Sequence, residues 1–144
     1  MTSAKHLFIS ITAAIVLSSS ACASNEPKAD GDKGAQDTKI VPLMSKEFAN
    51  IPGKEGLMIT VEYAPGASTS QHRHDAHVFV YVLEGSIVMQ AAGSQPITLS
   101  AGQTFYENPA DVHAVSKNAS DTKPAKFLVF LVKDMGKPPV LPAN

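Results

Sequence analysis

Residues 65–85 read Pro-Gly-Ala-Ser-Thr-Ser-Gln-His-Arg-His-Asp-Ala-His-Val-Phe-Val-Tyr-Val-Leu-Glu-Gly. Pro65-Gly66 marks a turn, and Glu84-Gly85 marks another. Between them, Val78 to Leu83 alternates β-branched, aromatic and aliphatic side chains with no polar position, as expected of a strand covered on both faces. Ahead of that run stand His72 and His74. In an extended chain residues two apart point to the same side, so both imidazoles face one way. His77 has the opposite parity to His74, which sends it to solvent or to the periphery of whatever His72 and His74 form.

The same period of two continues on either side. Leu57, Ile59, Val61 and Tyr63 alternate with Met58, Thr60 and Glu62, a half-buried strand. Beyond Gly85 come Ser86–Gln90 and, after a Gly93-Ser94 turn, Pro96–Leu99. Thr104–Glu107, Val112–Ser116 and Lys126–Val132 complete the set, separated by Ala101-Gly102 and Asn108-Pro109. No segment holds a 3.6-residue period. Many short strands at close spacing predict an all-β sandwich or barrel.

Four of the five histidines fall in this region: His72, His74, His77 and His113. His113 follows the turn Asn108-Pro109-Ala110-Asp111, and it reaches His72 and His74 only if the two hairpins face each other across a barrel. Two imidazoles at strand spacing plus a distant third suit a mid-row transition metal, which neutral imidazole binds well. The competing reading is an exposed polar His-x-His turn with His113 on the surface.

Gly66-x5-His72-x-His74-x10-Gly85 resembles the first sequence motif of the cupin superfamily, and Gly102-Gln-Thr-Phe-Tyr-Glu-Asn-Pro-Ala-Asp-Val-His113 resembles the second. Ser86 to Ala101 fits the short spacer between them, and the likeness covers most of residues 39–132. The resemblance implies a double-stranded β-helix, a jelly-roll barrel, with His72, His74 and His113 as three metal ligands in its mouth. It implies a divalent transition metal (Fe, Mn, Ni or Zn) and a small-molecule ligand or substrate. It also implies a homodimer paired through its sheets. Two functional readings follow. One is a mononuclear non-haem dioxygenase or related small-molecule enzyme; the other is a non-catalytic protein that captures a small ligand or metal. A third, a structural cupin with a vestigial site, is the limiting case.

The departures matter as much. Cupins usually carry a Glu ligand seven residues before the closing Gly of the first motif, and here that residue is Val78. Asn108-Pro109-Ala110 stands where Pro-x-Gly is usual, and Lys117 where Asn is usual, with Asn118 one later. Either the three imidazoles act alone, or Gln90 or Glu107 fills the gap from a neighbouring strand; the plainer readings are a strand-end polar residue and a rim charge. Phe79, Tyr81, Met89 and Phe105 are candidates to line the interior.

The ends of the chain carry other information. Lys5 precedes the uncharged run Leu7–Leu17 and a small-residue exit, the pattern of a secretory signal over residues 1–23; the run falls short of the ~20 apolar residues of a spanning helix. Ala21-Cys22-Ala23 satisfies the small-x-small cleavage rule, releasing a chain from Ser24. Ser19-Ser20-Ala21-Cys22 also resembles a bacterial lipoprotein box, which would lipidate Cys22 and give the protein its one contact with a membrane. Both readings place the protein outside the cytoplasm, in the periplasm or on the outer membrane. Residues 24–38 have no large apolar side chain and read as a flexible linker. The folded unit is then 39–135, and the Pro-rich tail 136–144 is expected to lie extended on the surface. Twelve basic against 13 acidic residues, a net charge of −1, make no basic face for nucleic acid, and a lone Cys excludes both an intramolecular disulfide and Cys-rich zinc modules.

Overall fold

The computed structural model describes residues 37–109 and 111–143. Eleven strands occupy them: β1 (Thr38–Glu47), β2 (Lys54–Tyr63), β3 (Ser68–Thr69), β4 (His72–Arg73), β5 (Ala76–Glu84), β6 (Ser86–Ala91), β7 (Ile97–Ser100), β8 (Thr104–Glu107), β9 (Val112–Asn118), β10 (Ala125–Asp134) and β11 (Leu141–Pro142). There is no helix among the described residues. The strands form two antiparallel sheets, one in the order β1-β2-β10-β5-β8, the other β11-β4-β9-β6-β7 with β3 also on β9. This is the jelly-roll barrel expected of the two motifs.

Strand β10 shows why the barrel closes. Ala125, Phe127, Val129, Leu131 and Lys133 point inward, and the residues between them are half covered. Its neighbours β2 and β5 present Val61, Tyr63, Val80 and Val82 to the same interior, opposite Ile87, Met89 and Leu99 of the second sheet. Burying a side chain of this size stabilises the fold by roughly 1.5–3 kcal/mol, so this interior is the main source of its stability. Lys133 is also inward, and its ammonium is satisfied by Glu55 at 2.5 Å and by the carbonyls of Asp134 and Lys137.

The strand Val78–Leu83 differs from expectation. It is central, but only one face is covered: Phe79 is 48% exposed and Tyr81 44%. Phe79 packs sideways against Tyr106 and Phe130 rather than under a second layer. An unbroken apolar run cannot distinguish a strand buried on both faces from one with an aromatic outer face.

Gly85 turns β5 into β6 with φ of +71°, and a Cβ there would meet the Pro124 carbonyl at 2.6 Å, so no other residue fits. Asn118, one residue beyond the usual motif position, ties the end of β9 to the end of β2. Its Nδ2 donates to the carbonyls of Tyr63, Ala64 and Lys123, and its Oδ1 accepts from Ser120 N–H.

Three short or irregular pieces escaped the period-two reading: β1, whose mostly exposed side chains include Pro42 beside a register shift, and the two-residue strands β3 and β11. The described part of the tail is mostly exposed, and it adds β11 to the edge of the second sheet.

Candidate metal centre

His72 and His113 are direct partners across β4 and β9. The two hairpins therefore do not face each other across the barrel; they lie side by side in one sheet, and opposite residues of a ladder share a face. His74 follows β4 with the parity of His72. The result is a cluster in which one ring nitrogen from each of His72, His74 and His113 lies within 4.8 Å of the others, a group that could hold a metal ion. His72 sits at 4.9 Å, ring centre to ring centre, from both His74 and His113.

The backbone sets the tautomers. His72 Nδ1 donates to the Ser70 carbonyl at 2.8 Å, and His74 Nδ1 donates to the Pro139 carbonyl at 2.5 Å. Each ring that gives its proton away at Nδ1 keeps a bare lone pair at Nε2, the state a metal ligand requires. Burial pushes His74 below the usual imidazole range, and pushes His113 down to about 3, with the fields of His72 and His74 adding to the effect. Both imidazoles are neutral at ordinary pH.

Glu107 is not a rim charge. It is 1% exposed, at the end of β8, with Oε1 3.2 Å from His113 Nδ1 and Oε2 3.9 Å from His74 Nε2. Burial, with a smaller contribution from Asp111, raises its carboxyl to about 7. Its Oε2 and His113 Nδ1 are buried without a hydrogen-bond partner. Orphans of this kind cost about 1–3 kcal/mol each, more for charged groups, and a cation among these atoms would satisfy both. The donor set of three imidazoles and a carboxylate suits a divalent transition ion.

The other named residues fall elsewhere. Gln90 has the outward parity of β6, and its amide donates to the Ser94 carbonyl. His77 is outward on β5, stacked on Tyr106 and hydrogen-bonded to its hydroxyl at 2.6 Å. Neither approaches the cluster, because a single step of strand parity puts a side chain on the opposite face. Of the candidate lining residues, Phe79 and Tyr81 also face out; Met89 faces in, its sulfur 3.1 Å from His113 Nε2, and Phe105 packs 6.2 Å from the His113 ring. Cys22 and the signal and linker, apart from Asp37 and Thr38, lie outside the described residues.

The cluster opens into a cavity of about 480 Å³. Its walls are the inner face of the first sheet, chiefly Ile59, Val61, Val80 and Val129, with Val140 and Leu141 of the tail at the mouth. Among the described residues its lining holds no Lys or Arg. Two contributors were not singled out in the sequence. Tyr63 was assigned only to a strand, yet it lines the cavity, its hydroxyl 2.7 Å from Ser116 Oγ and 3.2 Å from Thr69 Oγ1. The tail supplies both the acceptor for His74 and part of the wall; the apolar pair Val140-Leu141 among prolines was the available signal.

No curated protein matches the chain in sequence. Among solved structures, a cupin superfamily protein from Desulfitobacterium hafniense aligns over 67% of this chain and 78% of its own, with 15% identity and a TM-score of 0.56. The polyketide cyclase RemF from Streptomyces resistomycificus aligns over 77% and 74%, with 21% identity and a TM-score of 0.59. The DMSP lyase DddQ from Ruegeria pomeroyi aligns over 79% of this chain but 57% of its own, with 20% identity and a TM-score of 0.63. These likenesses concern the fold. The cupin-domain family matches residues 59–131 in sequence, the span holding both motifs and all three clustered histidines, and on that match the chain belongs to the cupin superfamily.

Proposed function

We propose that this protein is an exported, metal-dependent enzyme of the mononuclear dioxygenase type, acting on small, largely apolar molecules that carry oxygen donor atoms. One observation carries the reading: the three-imidazole cluster stands at the wall of an apolar cavity in whose lining the described residues include no Lys or Arg. A cavity of about 480 Å³ falls in the range of small-ligand sites.

His72, His74 and His113 would hold the ion, with Fe, Mn, Ni and Zn all compatible with the donor set. A bound ion supplies Lewis acidity and, where redox-active, a route for electrons between substrate and dioxygen. The protein supplies the rest. Val61, Val80 and Val129 bind the apolar body of the ligand and exclude water. Tyr63 lines the same wall, its hydroxyl tied to Ser116 and Thr69. Small dicarboxylates are poor candidates, since no Lys or Arg in the lining balances their charge.

Elemental analysis of protein purified without a His-tag, followed by oxygen-uptake screening with phenolic, diketone and thiol substrates, tests the proposal. Well under one ion per chain would sink any metal-dependent role. Binding without turnover across that panel would favour the capture-protein alternative. Export belongs to the same reading and rests on Lys5, the apolar run Leu7–Leu17 and Cys22; cell fractionation and the mass of the mature N-terminus decide between release at Ser24 and lipidation at Cys22. A homodimer is supported by the exposed aromatic outer face of β5, and sedimentation of the purified protein tests it.

A further inference from the structure

Val78 and Glu107 are direct partners across the β5–β8 ladder, and both side chains point into the barrel. Opposite residues of an antiparallel pair lie only about 5 Å apart at Cβ, so either position can deliver a side chain to nearly the same place. Position 78 delivers a valine, which cannot bind a cation. Position 107 delivers a carboxylate whose oxygens lie 3.2 Å from one clustered imidazole and 3.9 Å from another. A carboxyl buried for structural reasons has its oxygens hydrogen-bonded, but Glu107 Oε2 has no partner, and neither has the facing His113 Nδ1. Both unmatched atoms sit at the edge of the three-imidazole group.

We propose that Glu107 is a fourth protein ligand of the ion held by His72, His74 and His113, so that β8 supplies the carboxylate that its partner position on β5 lacks. The proposal rests on the three-histidine reading above. It has a consequence for the ligand. Three neutral imidazoles leave a dication with its full charge, whereas one carboxylate leaves a single positive charge in an apolar cavity without Lys or Arg. A monoanionic oxygen donor, such as a phenolate or an enolate, then completes neutrality, and a dianion would overshoot it.

The probe is cobalt(II), titrated into the metal-free full chain and read by visible absorption. Glu107→Val is expected to weaken cobalt binding more than about 100-fold, beyond the 10–100-fold typical of losing a mere neighbour of a ligand, and to alter the spectrum at saturation. Val78→Glu combined with Glu107→Val returns the carboxylate from the partner strand and is expected to restore binding to within about tenfold of the parent. Cobalt bound by Glu107→Val with the parent's spectrum and within tenfold of its affinity would overturn the proposal. Should the valine variant fail to fold, Glu107→Gln keeps the side-chain shape, and parental affinity in that variant would overturn it equally. His113→Ala separates the two levels: retained binding there sinks the three-histidine reading itself, whereas loss there beside unchanged binding in the Glu107 variants sinks only the carboxylate.

Discussion

The two sides of the candidate metal centre are built differently. His113 lies on β9, seven residues long and flanked by β6 on one side and by β3 and β4 on the other. Its strand is pinned by Asn118, whose amide joins β9 to the end of β2 and to the loop before β10. His72 and His74 lie on and just past β4, a two-residue strand whose outer neighbour is the two-residue β11 of the tail. One imidazole of the cluster is part of the barrel wall. The other two hang at its edge and are aimed by backbone carbonyls, one of them from Pro139, 65 residues along the chain. This barrel thus holds one imidazole of the cluster in its wall and leaves the aim of another, His74, to its C-terminal tail.

Four changes would break or sharpen that contrast. The largest effect is expected from His113→Ala, which removes the ligand of the rigid side: elemental analysis should find the ion lost while the circular dichroism of the barrel persists. Next, Asn118→Ala should lower stability by about 3 kcal/mol in denaturant unfolding, because several buried carbonyls lose their donor at once. Metal affinity of the folded fraction should stay near the parent's, since the rigid side fails by unfolding rather than by misdirecting its ligand. Ending the chain after Pro138, which spares the Lys137 carbonyl that Lys133 needs, should do the opposite. The barrel should keep its melting temperature to within a few degrees, while metal affinity falls roughly 10–100-fold through loss of the acceptor that orients His74. An unchanged affinity in that truncation would erase the distinction between the two sides. The smallest effect is expected for Met89→Leu, which keeps volume beside His113; it should destabilise by less than about 1.5 kcal/mol and move metal affinity by no more than a few-fold.

Much of this arrangement was legible in the chain. Alternation along residues 57–63 identified a strand whose inner face now forms part of the cavity wall, because a side chain's face in a strand depends only on its parity. Parity put His72 and His74 on one face, whereas His113 joined them only through the likeness to the second cupin motif. Parity also separated His77 from His74, although it left open whether His77 stays near the cluster. Glu107 was the hard case. As a lone carboxylate before a turn it reads either as a surface charge or as a stand-in for the missing ligand, and only the pairing of β8 with β5 brings it to the imidazoles. Phe79 and Tyr81 failed in the other direction, since their apolar character gave no sign that the outer face of their strand is bare.

The division follows from the range of the forces. Local sequence decided which segments are strands, which face each residue takes and where the turns fall, because these depend on backbone sterics and on side chains two to four residues apart. Tertiary structure alone decided that His72 and His113 are ladder neighbours, that Glu107 takes up the place beside Val78, and that Pro139 orients His74. Each of those depends on register between strands distant in the chain, and register is set by the packing of the whole barrel.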